Sequence, residues 1–432
     1  MGSGSNRFQS GSRYQGSKAP QQARPPSRYD TNTAADSKNS THGDGKHTKK
    51  RKVNGLELPT GPKSMSLSER PLSRYNPDIR TTTVRQPSTP PTAIITTERS
   101  SSVYERVLQV GEGTYGKVYK AKNLHVGKLV ALKRLRLEGE REGFPITSIR
   151  EIKLLQSFNH PNVSTLSEIM VEGTKTVYMI FEYADNDLSG ILLNNEISLS
   201  PANCKHIFKQ LLEGIQYLHS RRILHRDIKG SNILIDNRGQ LKITDFGLAR
   251  RMKDERDYTN RVITLWYRPP ELLMGTTKYA SEVDMWGCGC LLVELFHKLA
   301  IFQGTNELEQ LQAIFSIMGT PTVEEWPNIF NMPWFFMMIP QQETKFESSF
   351  EQKFASLLPS RHCFELAKGL LLYDQDKRWS AAEALRSEYF KEEPRPEPLN
   401  LIGFDGWHEF EAKKQKRKER EEQKRKEKSL TK

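Results

Sequence analysis

Two short stretches constrain this chain more than any other feature. "HRDIKGSN" (His225 to Asn232) and "DFG" (Asp245 to Gly247) set two carboxylates, a cation and an amide close together in sequence. The first follows a long helical pattern, "SPANCKHIFKQLLEGIQYLH", and the second follows a short strand-like run, "LKIT". In such a setting Asp227 can orient an attacking hydroxyl and accept its proton. Lys229 can neutralise a phosphoryl group in transfer, and Asn232 and Asp245 offer the hard oxygens that Mg²⁺ prefers. Any one of these residues alone is more often a surface residue than a catalyst. All of them in this order leave that bland reading little room.

The residues upstream supply what such a loop needs. "GEGTYGKV" is a GxGxxG, with Gly111, Gly113 and Gly116 before Val118. The same letters open dinucleotide-binding folds, where they start a helix. Here they lie between two strand-like segments, which suits a flap over phosphates. "VALK" then places Lys133 on the third such segment, a cation whose meaning depends on the loop downstream.

The stretch "GFPITSIREIKLLQSF" reads as a helix opened by Pro145, since the first helical position needs no amide donor. At about 100° per residue, Glu151 shares a face with Leu154, Leu155 and Phe158. Ile146, Ile149 and Ile152 cluster on the opposite face. A surface helix normally needs one apolar stripe, so this one has a stripe to spare and a carboxylate set in the other.

Organisation along the chain follows composition. Residues 1–103 are Ser, Thr, Gln, Asn, Pro and Arg without sustained periodicity, and are expected not to fold alone. From Tyr104, "YERVLQVGEG", "GKVYKAKNL" and "KLVALKRLRL" are β-rich and separated by turn residues, as antiparallel strands are. After the helix come two more strand-like runs, "VSTLSEIMV" and "TVYMIFEYA". Helices dominate beyond Asp187: Ser200 and Pro201 start one, and Asn306 with Glu309 is placed like a capping box. A folded domain over 104–390 follows, of α+β class, with a small sheet lobe, a larger helical lobe and a cleft between. Residues 391–432 are Pro-rich and then charged, and without an apolar stripe are expected to form a solvated rod or tail.

At this point the sequence resembles the eukaryotic protein kinases over about Tyr104 to Phe390. The resemblance implies that Glu151 pairs with Lys133 and sets it on the phosphates of ATP. It implies Ala131 above the adenine, Leu234 beneath it, and "FEYA", with Glu182 and Ala184, as the strand that reads the base. Lys229 in the catalytic loop is the serine/threonine pattern. Gly230 and Pro269 depart from the commoner Pro and Ala, and neither removes a catalytic group.

"PITSIRE" resembles the cyclin-binding helix of the cyclin-dependent kinases. That makes Ile146, Ile149 and Ile152 a docking face, against the plainer reading of a helix buried on both sides by its own chain. "YTNRVITLWYRPPE" is similar to the same family, whereas mitogen-activated kinases usually carry TxY there. "EGFPITSIREIKLLQ", "FEYADNDLSG" and "DMWGCGCLLVELF" resemble the transcriptional branch, and within it the fungal kinases of the C-terminal domain of RNA polymerase II. The resemblance implies ATP and Mg²⁺, a cyclin subunit, Ser/Thr-Pro sites in that repeat domain as substrate, and room for a third, accessory subunit. It also makes Thr259 an activating phosphosite read by Arg150, Arg226 and Arg250, and lets Thr114 and Tyr115 carry inhibitory phosphates. Two rivals from other classes are a pseudokinase scaffold and a nucleic-acid-binding protein acting through basic ends.

Charge bears on the last rival. The formal charge is +13, but residues 1–100 hold 17 Lys and Arg against 7 Asp and Glu, and residues 411–432 hold 11 against 5. The stretch between them is nearly balanced, so the basic character belongs to the ends. Within the first of these, "KKRKV" (Lys49 to Val53) resembles a nuclear import signal. Four scattered cysteines make no disulfide framework, and Cys288 and Cys290 read as small core residues. No apolar stretch approaches the roughly 20 residues of a membrane span, and "MGSGSNRFQS" has no apolar signal core. The expectation is a soluble nuclear protein.

Overall fold

β-Branched residues start the sheet earlier than the sequence pattern indicates. Ala93–Thr97 (β1), AIITT, pairs in parallel with Glu168–Glu172 (β5), Ile94 lying opposite Ile169. The computed structural model describes residues 92–97, 99–113, 116–135, 144–173, 176–252, 257–338, 345–404 and 406–430, all within the unit Thr83–Lys432. Lys49–Val53, Thr114 and Tyr115 lie outside the described residues. β1 lies upstream of the expected 104–390 domain and extends its sheet. Four β-branched residues in a polar stretch are too few to fold alone, but they can borrow the free edge of an existing strand. Ser100 is buried just after β1, its N–H donating to Glu172.

Tyr104–Gly113 (β2), Gly116–Asn123 (β3) and Leu129–Leu135 (β4) form the expected antiparallel run, and Thr176–Glu182 (β6) joins them. The sheet order is β1-β5-β6-β4-β3-β2. One sheet face carries a small core of Tyr104, Ala121, Leu132, Met170, Tyr178 and Ile180. The other face, through Leu135, Ile169 and Met179, joins the main core with helix α1 (Ile146–Leu155). Pro145 sits one position outside α1, as its cap, where its carbonyl accepts from the Ile149 N–H. Of "VSTLSEIMV", only the end is strand; Val163 forms an isolated bridge to Ile243.

The large lobe begins with Asn186–Asp187 (β7), Leu188–Leu193 (α2) and Pro201–Ser220 (α3). Ser200 and Asn203 close a reciprocal capping box on α3, and Cys204, Ile207, Phe208, Leu211, Leu212, Ile215 and Leu218 are all buried as their helical spacing requires. Short strands follow at Ile223–Leu224 (β8), Ile233–Ile235 (β9), Leu241–Ile243 (β10) and Arg250–Arg251 (β11). Next come Pro270–Leu273 (α4) and Glu282–His297 (α5). Every residue of α5 from Val283 to Leu295 is buried, so it is the central helix of the lobe. Cys288 and Cys290 lie on it as free, buried thiols. The lobe is completed by Glu307–Met318 (α6), Phe335–Met338 (α7), Phe350–Phe354 (α8), Arg361–Leu370 (α9), which packs on α5, and Ala381–Leu385 (α10). Asn306 caps α6, while Glu309 reaches back past it to the Thr305 N–H. Arg378 and Glu271, both without solvent exposure, form a two-point ion pair at 2.7 and 3.0 Å.

The C-terminal segment is anchored before its charged run begins. Leu399 and Leu401 are buried, and the Glu392 carbonyl accepts from buried Lys205 at 3.0 Å. The Trp407 N–H donates to Asn186 and the Glu409 N–H to Asp187, which fixes the start of Glu409–Leu430 (α11) beside α2. Gly190 makes that approach possible, since a Cβ there would stand 2.3 Å from the Trp407 carbonyl oxygen. These anchors are isolated leucines and backbone N–H groups, which leave no periodic signal. Past Ala412, residues 413–423 are exposed, with Arg417 paired to Glu421. Among the described residues, no helix is long and apolar enough to cross a membrane.

Candidate active site

The cleft between the lobes has a volume of about 600 Å³. Gly111, Gly116, Val118, Ala131, Lys133, Glu182, Ala184 and Leu234 line it, together with Glu151, Asp227, Lys229, Asn232 and Asp245. Gly113 pairs with Gly116 at the tip of the β2–β3 hairpin. Glu182 points outward to Lys242, so what it offers the cleft is backbone.

Lys133 reaches into the cleft from β4, opposite Val118 on β3. Its Nζ donates to Glu151 Oε1 at 2.8 Å and to Asp245 Oδ1 at 2.9 Å. Burial opposes the lysine charge, but the carboxylates of Asp245 and Glu151 outweigh it and hold the pKa above the usual lysine value. Burial likewise opposes the charge of Asp245, and Lys133 overcomes it, so this carboxyl stays below its ordinary range. Glu151 is buried on the inner face of α1, where Phe158 beyond the helix end stands 4.7 Å from Phe246. Asp245 itself has φ 63°, a left-handed backbone that a non-glycine residue seldom takes.

The catalytic-loop residues are held by their neighbours. Asp227 Oδ2 accepts from Lys229 Nζ at 2.8 Å and from Asn232 Nδ2 at 2.9 Å. Its Oδ1 accepts from the Thr264 hydroxyl at 2.8 Å and from the Thr264 N–H. Beneath the loop, Asp284 of α5 accepts from the backbone N–H groups of His225 and Arg226 at 2.9 and 2.8 Å, and from His219 at 2.9 Å. Burial raises the Asp284 pKa, and hydrogen bonding and charge from His219 more than reverse it, so it is an anionic anchor. Gly230 fits its place because a Cβ there would meet the Ser189 hydroxyl at 2.4 Å.

Thr264 and Asp284 were not singled out from sequence. Asp284 carried a signal, a lone carboxylate inside an apolar helical run; Thr264 carried none beyond its place in "VITLWYRPPE". His408, Glu409, Phe410 and Lys413 also line the cleft, from a segment whose composition hides its anchoring.

Of the four proposed regulatory residues, the structure connects two. Thr259 is exposed; its carbonyl accepts from Tyr279, whose hydroxyl in turn accepts from Arg226. Arg250 pairs through its backbone with Leu224 and Arg150 is half-buried on α1; no hydrogen bond or ion pair joins either to Thr259. On the outer face of α1, Ile146 and Ile149 are 73% and 39% exposed, while Ile152 packs partly against the chain's own core.

A glycine-hairpin lobe, a helix-positioned lysine and an anchored acidic loop across one cleft define a protein kinase. The protein kinase domain model matches residues 104–390, and the chain belongs to that family. It is 71% identical over 330 residues to the CTD kinase subunit alpha of Saccharomyces cerevisiae, across 76% of this chain and 62% of that one. To the subunit of the same name in Schizosaccharomyces pombe it is 50% identical over 337 residues, across 77% and 56%. The chain thus spans less than two thirds of either relative. A crystal structure of the yeast RNA polymerase II CTD kinase complex CTDK-1 matches with TM-score 0.68 and 70% identity, covering 72% of this chain and all of that one.

Proposed function

We propose that this chain is the catalytic subunit of a cyclin-dependent serine/threonine kinase. In this reading it acts in the nucleus on Ser-Pro or Thr-Pro sites of the RNA polymerase II C-terminal repeats, in support of elongation and RNA processing. The observation that carries it is the four-bonded Asp227 facing the Lys133–Glu151 pair across one cleft. Bound ATP supplies the γ-phosphoryl group, and Mg²⁺ spreads the charge of its phosphates. Asn232 and Asp245 suit that metal. The amide N–H of Asn232 is committed to Asp227, which leaves its oxygen as a ligand, and Asp245 is held ionised. Two protein oxygens are enough, because Mg²⁺ commonly completes its shell with phosphates and water. Asp227 orients the substrate hydroxyl and takes its proton, and Lys229 keeps that end of the cleft positive.

One local feature supports the proline part of this reading. Ile263, next to Thr264, has φ 67°, and its carbonyl accepts from Arg268 Nη2 at 3.1 Å. A substrate residue following the target hydroxyl would find that acceptor already engaged. Proline has no N–H to leave unpaired. The exposed Ile146 and Ile149 supply the apolar face a cyclin would cover. Incubating the purified cyclin complex with ATP and a repeat peptide tests the reading, with mass spectrometry locating the phosphate. Phosphate on Ser before Pro supports it, and no transfer rejects it.

A further inference from the structure

Tyr279, in the loop before α5, is 8% exposed, and its hydroxyl makes two hydrogen bonds. Arg226 Nη1 donates to it at 3.0 Å, and it donates to the Thr259 carbonyl at 2.8 Å. A phenol has one proton and two lone pairs, so both bonds form at once. Burial pushes the phenol above its ordinary pKa, which keeps that proton in place. The Tyr279 ring lies 5.2 Å from the ring of Tyr258, over which the Arg226 guanidinium sits at 5.9 Å. The Tyr258 N–H donates to the Thr277 carbonyl at 2.8 Å. Residues 258 and 259 are thereby tied to the loop before α5, and through one hydroxyl to Arg226.

Arg226 is the cation beside the catalytic Asp227, and its own backbone is fixed on Asp284. Its guanidinium bonds go to neutral acceptors, the Leu248 carbonyl at 2.8 Å and the Tyr279 hydroxyl. At Arg226 a neutral relay therefore stands where an anion would bind. We propose that Tyr279 is a positioning residue that fastens the Thr259 segment to Arg226 before Thr259 is phosphorylated, and so sets how strongly activity depends on that phosphate. The proposal rests on reading Thr259 as the activating site. Once a phosphate is present, charge-assisted bonds to arginine replace the weaker phenol bridge, and the hydroxyl matters little.

Tyr279→Phe removes the bridge and keeps the ring. The test measures kcat and KM of the cyclin complex, wild type and variant, each with Thr259 fully phosphorylated and again after phosphatase treatment. In the variant, kcat of the dephosphorylated form should fall about five- to tenfold, the size of one lost hydrogen bond. The phosphorylated form should stay within about twofold of wild type. An equal fall in both forms, or no fall in either, overturns the relay. Equal activity of the two wild-type forms overturns the Thr259 reading itself, and the relay with it.

Discussion

In the large lobe, the Asp227 carboxylate is held by four hydrogen bonds from Lys229, Asn232 and Thr264, and the loop beneath it hangs on Asp284 of the central helix. In the small lobe, Lys133 is held by two carboxylates, one on α1 and the other, Asp245, contributed by the large lobe. The first assembly is fixed by its own core. The second depends on where α1 sits, and among the described residues α1 buries its inner face while Ile146 and Ile149 stay exposed. A partner that covers the outer side can therefore act on Lys133 without touching the catalytic carboxylate. Under the proposed function, a regulator would act through the small lobe while the chemistry stays in the large lobe.

The largest expected effect is on the large-lobe side. Asp227→Asn should cut phosphoryl transfer by about 10³-fold or more, in the range of a lost general base, with ATP affinity nearly unchanged. A matching loss of ATP affinity would break the division between the lobes. On the small-lobe side, Lys133→Arg should also be severe but should raise the KM for ATP, since a planar fork does not replace a point charge set between Glu151 and Asp245. Steady-state kinetics of the cyclin complex separate the two signatures.

Next in size is the partner face. Ile149→Asp should weaken cyclin binding about ten- to hundredfold, because it places a charge in a desolvated contact. The melting temperature of the free chain should hold, as Ile149 is 39% exposed there. Unchanged affinity by calorimetry would mean that α1 is not the docking helix.

The smallest effect on turnover concerns Glu294, buried on α5 and bonded to the Tyr267 hydroxyl at 2.8 Å. Burial lifts its carboxyl from 4.5 to about 7. Between those values the native chain holds a proton that the unfolded chain has lost. The stability it contributes is full below pH 4.5 and is lost as pH rises through about 7. Glu294→Gln should flatten stability over that window, removing a slope of about 1.4 kcal/mol per pH unit. Denaturant melts at about pH 5 and about pH 7.5 check this; equal slopes for variant and wild type would show that Glu294 does not titrate there.

The contrast between the lobes also explains what was legible in the sequence. "HRDIKGSN", "DFG" and "VALK" work through residues at fixed short spacings, so the residues that meet in the cleft could be named in advance. α1 declared both faces through the period of its isoleucines and leucines. Thr264 and Tyr279 could not be found this way, because each bonds to residues distant in sequence. β1 and the anchors of α11 were hidden for a different reason: each borrows its stability from an element far along the chain, and local composition reports only polarity.

The most direct test of the account is transfer from ATP to two repeat peptides, one with Ser-Pro and one with Ser-Ala, by the chain with and without its cyclin. The account predicts strong transfer to the Ser-Pro peptide with cyclin, little without it, and little to Ser-Ala in either case. Equal transfer to both peptides, or equal transfer with and without cyclin, would contradict it.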